Sequence, residues 1–65
     1  MSFDVKKARI IMIDRCMSLA DVTRAAGLAN NTLYKIMHGK SSASMKTVGR
    51  IAKALGVPAS ELIKD

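Results

Sequence analysis

The scarcity of cross-linking residues most constrains what this chain can fold into, because it has one cysteine and one histidine among 65 residues. A domain of this size has a small core, and many such domains add disulfides or metal sites to become stable. Cys16 has no partner for a disulfide within the chain, and Cys16 and His38 are too few for a four-ligand zinc site. We therefore expect no metal and no other cofactor. The fold must be held by packing, with a second subunit as a further source of stability.

The apolar residues indicate helices rather than sheets. Hydrophobic residues make up 49% of the chain, which is enough to form a core, but aromatic residues make up only 3%. Small β-domains depend on aromatic and β-branched residues in alternating patterns, and no such pattern is present. The composition therefore predicts an all-α fold, and the length predicts that residues 1–65 form one domain.

Five segments show apolar residues at helical spacing. They run over about 4–15, 18–27, 30–38, 44–56 and from Pro58 to the end of the chain. Ser18 with Asp21 predicts a capping box at the start of the second helix, and Gly27 predicts its left-handed end. The apolar face of the fourth helix is expected to contain Met45, Val48, Ile51, Ala52 and Leu55. Five short helices leave little room for a strand.

The first helix carries two apolar strips instead of one. One strip is formed by Val5, Ala8, Ile11 and Met12. Ile10 and Ile13 form the second. Either both strips are covered within the monomer, or the second one meets a protein partner, and the sequence leaves these alternatives open.

The basic residues are distributed unevenly along the chain. The net charge is +6, and all five acids lie outside residues 22–60. Within that span the basic residues are Arg24, Lys35, Lys40, Lys46, Arg50 and Lys53. A long stretch with charge of one sign is typical of a surface that binds a polyanion. The alternative is a solvated surface that keeps the protein soluble.

Several classes of protein are disfavoured by what the sequence lacks. It offers no Ser/His/Asp, Cys/His, paired-carboxylate or phosphate-loop constellation, so we expect no catalytic residues and no enzyme activity. The apolar run at residues 10–13 is far shorter than the roughly 20 residues that span a bilayer, and the start of the chain lacks a signal-peptide core. We expect no membrane association and a cytoplasmic location, which an unpaired cysteine also fits.

The second and third predicted helices are the most informative pair. A short glycine-containing turn over residues 27–29 joins them. Ala26 is small enough for a close helix crossing, and Leu33 and Ile36 can anchor the third helix against the body of the protein. The outer face of the third helix would then be free to enter the major groove of DNA, which accommodates one α-helix.

Three runs of residues resemble the phage-repressor/Cro-type helix-turn-helix domain of the xenobiotic-response-element family. They are SLADVTRAAG at 18–27, NTLYKIMHGK at 31–40, and 44–57, which ends in IAKALGV. The resemblance extends over about residues 5–63. It implies a compact, five-helix lambda-repressor-like domain. It also implies a sequence-specific transcription regulator, a Cro-like repressor of a phage, mobile element or bacterial chromosome, which binds double-stranded operator DNA as a homodimer.

The resemblance also assigns candidate contacts on a recognition helix over about 30–38. The candidate base-contacting residues are Asn30, Asn31, Tyr34 and Lys35. An asparagine amide can pair with adenine, a lysine can reach guanine, and Tyr34 can contact a thymine methyl group or a phosphate. The candidate phosphate-contacting residues are Ser18, Leu19, Lys40, Ser44 and Lys46, in part through backbone amides at helix starts. The alternative for each is a capping, turn or solvated surface residue.

The chain departs from the family pattern at several positions. Ala29 stands where the family commonly has a capping serine or threonine, so we expect Asn30 to cap the helix, at the expense of its role as a base reader. Met12 and Met37 stand where some relatives have an ion pair, and we expect an apolar contact there. Cys16 is expected to be buried or half-buried, and His38 to interact with the dipole at the helix end.

Two functional hypotheses follow. The first is an operator-binding regulator that dimerises through its C-terminal part, namely Val57, the last helix and the loop before it. The second is a protein-interaction or antitoxin-like module that kept the fold with little DNA binding, for which Ile10 and Ile13 are the main support. Affinity for DNA at low salt separates the two hypotheses.

Overall fold

The computed structural model describes residues 2–64, which form four α-helices and one short 3₁₀ helix. The α-helices are α1 (Val5–Asp14), α2 (Leu19–Ala26), α3 (Thr32–Met37) and α4 (Met45–Leu55). The fifth predicted helix is a single 3₁₀ turn, Ala59–Leu62, preceded by Pro58. The expected count of five α-helices is therefore not confirmed. No helix within residues 2–64 is long and apolar enough to cross a membrane.

Two very short strands correct the purely helical expectation. Strand β1 (Ser2–Phe3) pairs antiparallel with β2 (Ile63–Lys64), so that Phe3 lies opposite Ile63. Beside this pair, the backbone amide of Asp4 donates to the carbonyl of Leu62 at 2.7 Å. Strands of two residues are too short to show an alternating pattern, and their partners are at opposite ends of the chain. Local sequence patterns therefore do not reveal them.

The helix boundaries follow from local capping chemistry. Asp4 accepts a hydrogen bond from the backbone amide of Lys7 at 3.0 Å and caps α1. The predicted capping box of α2 is present, because Ser18 and Asp21 each accept from the other's backbone amide. Gly27 ends α2 with a φ of 67°, in the left-handed region that glycine adopts without a Cβ penalty.

The core is aliphatic and lies between all four helices and the 3₁₀ turn. Its buried members are Ala8, Ile11, Met12, Val22, Leu33, Ile36, Met37, Val48, Ile51, Ala52, Leu55 and Leu62. Met12 and Met37 are both buried in this cluster, in agreement with an apolar replacement for the ion pair of some relatives. No charged or polar residue within the described chain is buried, so the core depends on shape and apolar area.

Two expectations about burial are wrong, those for Cys16 and Met45, and coverage of the second strip of α1 within the described part of the monomer is excluded. Cys16 is exposed in the turn after α1, where it adopts a φ of 53°. Met45 is 80% exposed because it is the first residue of α4 and extends beyond the core. On α1, Ile10 and Ile13 are 51% and 69% exposed, so the second apolar strip is left uncovered by the rest of the described chain.

Candidate nucleic-acid interface

The interface is built on α2, α3 and the turn between them. Val22 and Ala26 of α2 and Leu33 and Ile36 of α3 are buried, which holds both helices against the core. The left-handed Gly27 turns the chain out of α2, and its carbonyl accepts from Nη1 of Arg50 on α4 at 3.3 Å. The crossing of the two helices is therefore anchored by the body of the domain. The outer face of α3 remains free.

The start of α3 differs from the expectation that Asn30 caps the helix. Asn31, not Asn30, occupies the capping position, with a φ of 74°. Its side chain makes no capping hydrogen bond, and no hydrogen bond of either asparagine side chain is present within residues 2–64. Asparagine is among the residues that tolerate left-handed backbone. Both amides are therefore unoccupied at the exposed end of α3.

A shallow groove brings most of the candidate base-contacting residues together. It is lined by Leu19, Ala20, Thr23, Arg24, Asn30, Asn31 and Tyr34. The start of α2 thus forms one wall, and the turn with the first part of α3 forms the other. Lys35 is exposed on α3 but does not line the groove. The groove joins a candidate phosphate site at Leu19 to the candidate base readers.

Tyr34, His38 and Lys40 form a small cluster at the end of α3. The rings of Tyr34 and His38 lie 4.1 Å apart between centroids, with an interplanar angle of 36°. Nζ of Lys40 lies 5.9 Å from the centre of the Tyr34 ring, within the range of a cation–π contact. These contacts position the Tyr34 ring and the Lys40 charge next to each other on the exposed surface. His38 follows the last residue of α3, as expected.

The candidate phosphate sites at the helix starts are not equivalent. The backbone amide of Ser18 already donates to Oδ2 of Asp21 at 2.9 Å, which occupies that donor. The amides of Leu19 and Ala20 begin α2 and have no intrahelical acceptor. At α4, the Ser44 hydroxyl accepts from the amide of Thr47 at 3.2 Å. The first amides of α4 and the Lys46 side chain remain exposed beside it.

The candidate contact residues chosen from the sequence omit Arg24, although it lines the groove. Its Nη2 donates to Oδ1 of Asp21 at 2.7 Å, and the side chain is otherwise exposed. The carboxylate therefore holds the guanidinium on the wall of the groove that faces the asparagines. The available signal was the position of Arg24 at the start of the acid-free span. The helix-turn-helix resemblance did not single it out.

Substituting Asp21 with asparagine should make the folding stability less dependent on acid pH. The hydrogen bond from the Ser18 amide, followed by that from the Ser18 hydroxyl group, lowers the pKa of Asp21 below its ordinary value of 3.8. The ionised carboxylate therefore stabilises the folded state above pH 3.8. This contribution is lost as the pH falls through the lower folded-state pKa.

Urea unfolding of wild type and Asp21→Asn at neutral pH and in acid tests this prediction. The wild type should be the more stable at neutral pH, and the difference should close in acid. Asp14→Asn, measured in dilute protein, serves as the control: it removes an exposed acid at the negative end of the α1 dipole, so it should not lower the stability at neutral pH. A difference for Asp21→Asn that stays constant into acid would contradict the assigned role.

Comparison with known proteins places this geometry in context. A family model for the Cro/C1-type helix-turn-helix DNA-binding domain matches residues 8–65. The cryptic phage CTXphi transcriptional repressor RstR of Vibrio cholerae is 32% identical over 59 residues. That alignment covers 91% of this chain and 53% of the repressor, so the chain spans about half of the repressor's length.

A solved structure gives an independent comparison of the fold. The restriction-modification controller protein C.AhdI from Aeromonas hydrophila matches with a TM-score of 0.84 at 19% sequence identity. The match covers 91% of this chain and 89% of the controller protein. The backbone arrangement is therefore shared over most of the chain. The family model describes a DNA-binding domain, the curated relative is a transcriptional repressor, and neither is described as an enzyme.

Proposed function

The chain belongs to the Cro/C1-type helix-turn-helix family of DNA-binding transcription regulators, and we propose that it represses transcription by binding operator DNA with α3 in the major groove. The observation that carries this proposal is the exposed start of α3, where two asparagine amides stand without hydrogen-bond partners opposite a groove wall that carries Arg24. The base edges in the major groove carry hydrogen-bond donors and acceptors that can pair with these amides. We also propose a cytoplasmic location, which membership of a DNA-binding family supports.

Base reading is assigned to the two asparagines immediately before α3 and to Tyr34 and Lys35 within it. Asn30 and Asn31 offer amides to adenine, and Lys35 offers a cation to guanine. Tyr34 lies between them in sequence and is only half exposed, with one ring face towards His38. Its remaining surface suits a thymine methyl group. Arg24, on the opposite wall of the groove, is assigned a phosphate rather than a base.

Phosphate contacts are assigned to the two sides of this surface. On one side the amide of Leu19 can hold a phosphate at the start of α2, next to the Ser18 cap. On the other side Lys40 and Lys46 supply cations, and Ser44 caps α4 next to its free amides. Phosphate contacts fix the orientation of the domain on the duplex, and base contacts then give sequence preference.

We place the dimer contact for a two-fold operator at the C-terminal part of the chain. Gly56, Pro58, Ala59 and Ser60 are exposed there, and Val57 is half-buried among them. Leu62 is fully buried within the monomer and so anchors this segment to the core. One domain reads few base pairs, and a dimer reads two half-sites about 34 Å apart.

Selection from random duplex DNA, followed by fluorescence anisotropy on the selected site, tests the proposed function. Wild type should select a two-fold-symmetric sequence. Asn31→Gly keeps the left-handed backbone while removing the amide, and Lys35→Ala removes the cation. Each should weaken binding by about 5- to 150-fold and relax the preference at particular base pairs.

Lys53→Ala is the matched control for Lys35→Ala. Lys53 is an exposed lysine in the last turn of α4. Its substitution therefore removes the same charge as Lys35→Ala, but at a site outside the recognition helix. Equal losses for Lys35→Ala and Lys53→Ala, with no change in base preference, would contradict base reading by Lys35. Undetectable binding at low salt would overturn the DNA-binding role and favour the protein-interaction module, which the exposed Ile10 and Ile13 support.

A further inference from the structure

The outer face of α1 combines exposed isoleucines with charges of opposite sign. Ile10 and Ile13 are two of the four large hydrophobic residues that are exposed within residues 2–64. Lys6 lies one helical turn before Ile10, and Asp14 lies one turn after it, and both are exposed. Residues four apart form one continuous row on a helix surface. The row Lys6–Ile10–Asp14 is thus positive at one end, apolar at its centre and negative at the other.

The charges of this row run against the dipole of the helix that carries them. No acid occurs in the first turn of α1 and no base in its last turn. Lys6 therefore lies near the positive end of the helix dipole, and Asp14 near the negative end, where each is unfavourable. The neighbouring Lys7 is paired with Glu61 at 2.8 Å, but within residues 2–64 neither Lys6 nor Asp14 has an ion-pair partner.

We propose that this face is a contact between two copies of the chain, with their α1 helices packed antiparallel and Ile10 at the centre. In that arrangement the two rows align in opposite directions. Lys6 of each copy then lies beside Asp14 of the other, which gives two equivalent ion pairs around a pair of isoleucines. Rows of this kind pack in each other's grooves at a crossing angle of about 50°. Ile13 is covered at the edge of the same contact.

Self-complementarity identifies the occupant as a second copy rather than an unrelated partner. A contact with two-fold symmetry requires a surface that matches itself when reversed, and a row with opposite charges at equal distances from an apolar centre meets that requirement. The reversal also places each acid near the start of the other copy's helix and each lysine near its end, which corrects the unfavourable dipole interactions.

This contact goes beyond the proposed DNA-binding function and uses different residues. The groove beside it is lined by Asp4, Lys6, Lys7, Ile10, Ile11, Asp14 and Glu61. None of these is a candidate base or phosphate contact. The C-terminal dimer surface is also separate, apart from the pairing of Glu61 with Lys7. An α1 contact can therefore join copies that are each bound to DNA.

A charge-exchange experiment tests the contact in the intact chain by sedimentation equilibrium. Lys6→Glu gives a row with acids at both ends, and Asp14→Lys gives a row with lysines at both ends. Each variant alone should associate about tenfold more weakly than wild type, since both ion pairs become repulsions. A mixture of the two variants, and the double variant Lys6→Glu/Asp14→Lys, should regain the wild-type association because opposite charges face each other again.

Misfolding cannot imitate this pattern. Either single substitution brings the charge of α1 into agreement with its dipole, so the monomer should be no less stable in thermal unfolding. If the mixture associates no better than the separate variants, the antiparallel α1 contact is wrong. A wild type that stays monomeric at millimolar concentration overturns it as well.

Binding to a duplex that carries one half-site separates this proposal from the proposed function. Ile10→Ser should weaken self-association about tenfold while leaving half-site affinity unchanged, because a single copy suffices for that site. If no variant binds DNA but the charge exchange restores association, the α1 contact stands and the DNA-binding role fails. If half-site binding holds while charge exchange has no effect, the reverse conclusion applies.

Discussion

Raising the salt concentration from about 50 to about 200 mM should weaken binding of this protein to its operator by about three orders of magnitude. Each lysine or arginine side chain that binds a phosphate releases counterions from the duplex. The logarithm of the binding constant therefore falls linearly with the logarithm of the salt concentration. Arg24, Lys40 and Lys46 are exposed around the groove and the start of α4. In a two-fold dimer these three cations give six phosphate contacts. Six contacts correspond to the smallest loss of affinity, about a thousandfold, in the range expected for such proteins between these salt concentrations.

The contribution of each lysine to DNA binding should be measurable from the slope of the logarithm of the binding constant against the logarithm of the salt concentration. Lys46→Ala should lower the slope by about one for each subunit, and binding should weaken alike for all sequences. Lys40 has a second role, because its Nζ lies over the Tyr34 ring, so Lys40→Ala should also disturb the position of that ring. Lys53→Ala, in the last turn of α4, should leave the slope unchanged.

Anisotropy titrations at four or more salt concentrations measure these slopes. A wild-type affinity that is flat across the salt range would contradict a phosphate-binding surface of this kind. If Lys53→Ala lowers the slope as much as Lys46→Ala does, only the net charge of the protein matters. The start of α4 would then have no defined contact with the DNA phosphates.

The features that were predictable from sequence are those set by neighbouring residues. The capping box depends on Ser18 and Asp21, which are three residues apart, and the end of α2 depends on Gly27 alone. The anchors Leu33 and Ile36 could be assigned from helical spacing. Because the helix-turn-helix combines such local features at fixed spacing, both the fold and the family could be predicted from the sequence.

The features that were not predictable depend on distant partners or on the extent of the core. The strand pair joins Phe3 to Ile63 across the whole chain, and two residues carry no period. Met45 continues the apolar face of α4 by spacing, but the core ends before it. Periodicity shows which side of a helix is apolar. It does not show how far that side is covered, and the exposed Ile10 on α1 illustrates the same point.

The start of the recognition helix shows a third kind of difficulty. Ala29 cannot cap, and the next polar residue, Asn30, was the expected substitute. The structure instead gives the capping position to Asn31 in left-handed backbone without a side-chain cap. Two adjacent asparagines have equal chemistry, so the choice between them is made by the geometry of the turn after Gly27. The outcome leaves both side chains free, which favours base reading more than the sequence alone suggested.

The second large effect should come from Leu62→Ala, which should destabilise the domain by about 2–5 kcal/mol. Leu62 is 0% exposed, and the 3₁₀ turn that carries it contacts both α1 and α4. Its carbonyl also accepts the hydrogen bond from the amide of Asp4, next to the strand pair. A domain of this size has a folding stability of roughly 3–10 kcal/mol, so the loss is a large share of the total.

Met45→Ala is the matched control for this substitution, because it truncates another large apolar side chain that is 80% exposed and should cost no more than about 0.5 kcal/mol. Urea unfolding of both variants measures the difference, and similar midpoints for the two would contradict the placement of Leu62 in the core. Since Leu62 is not one of the candidate DNA contacts, the fraction of Leu62→Ala that remains folded should keep the wild-type base preference within a single half-site. A changed sequence preference would instead mean that the C-terminal turn helps to position α3.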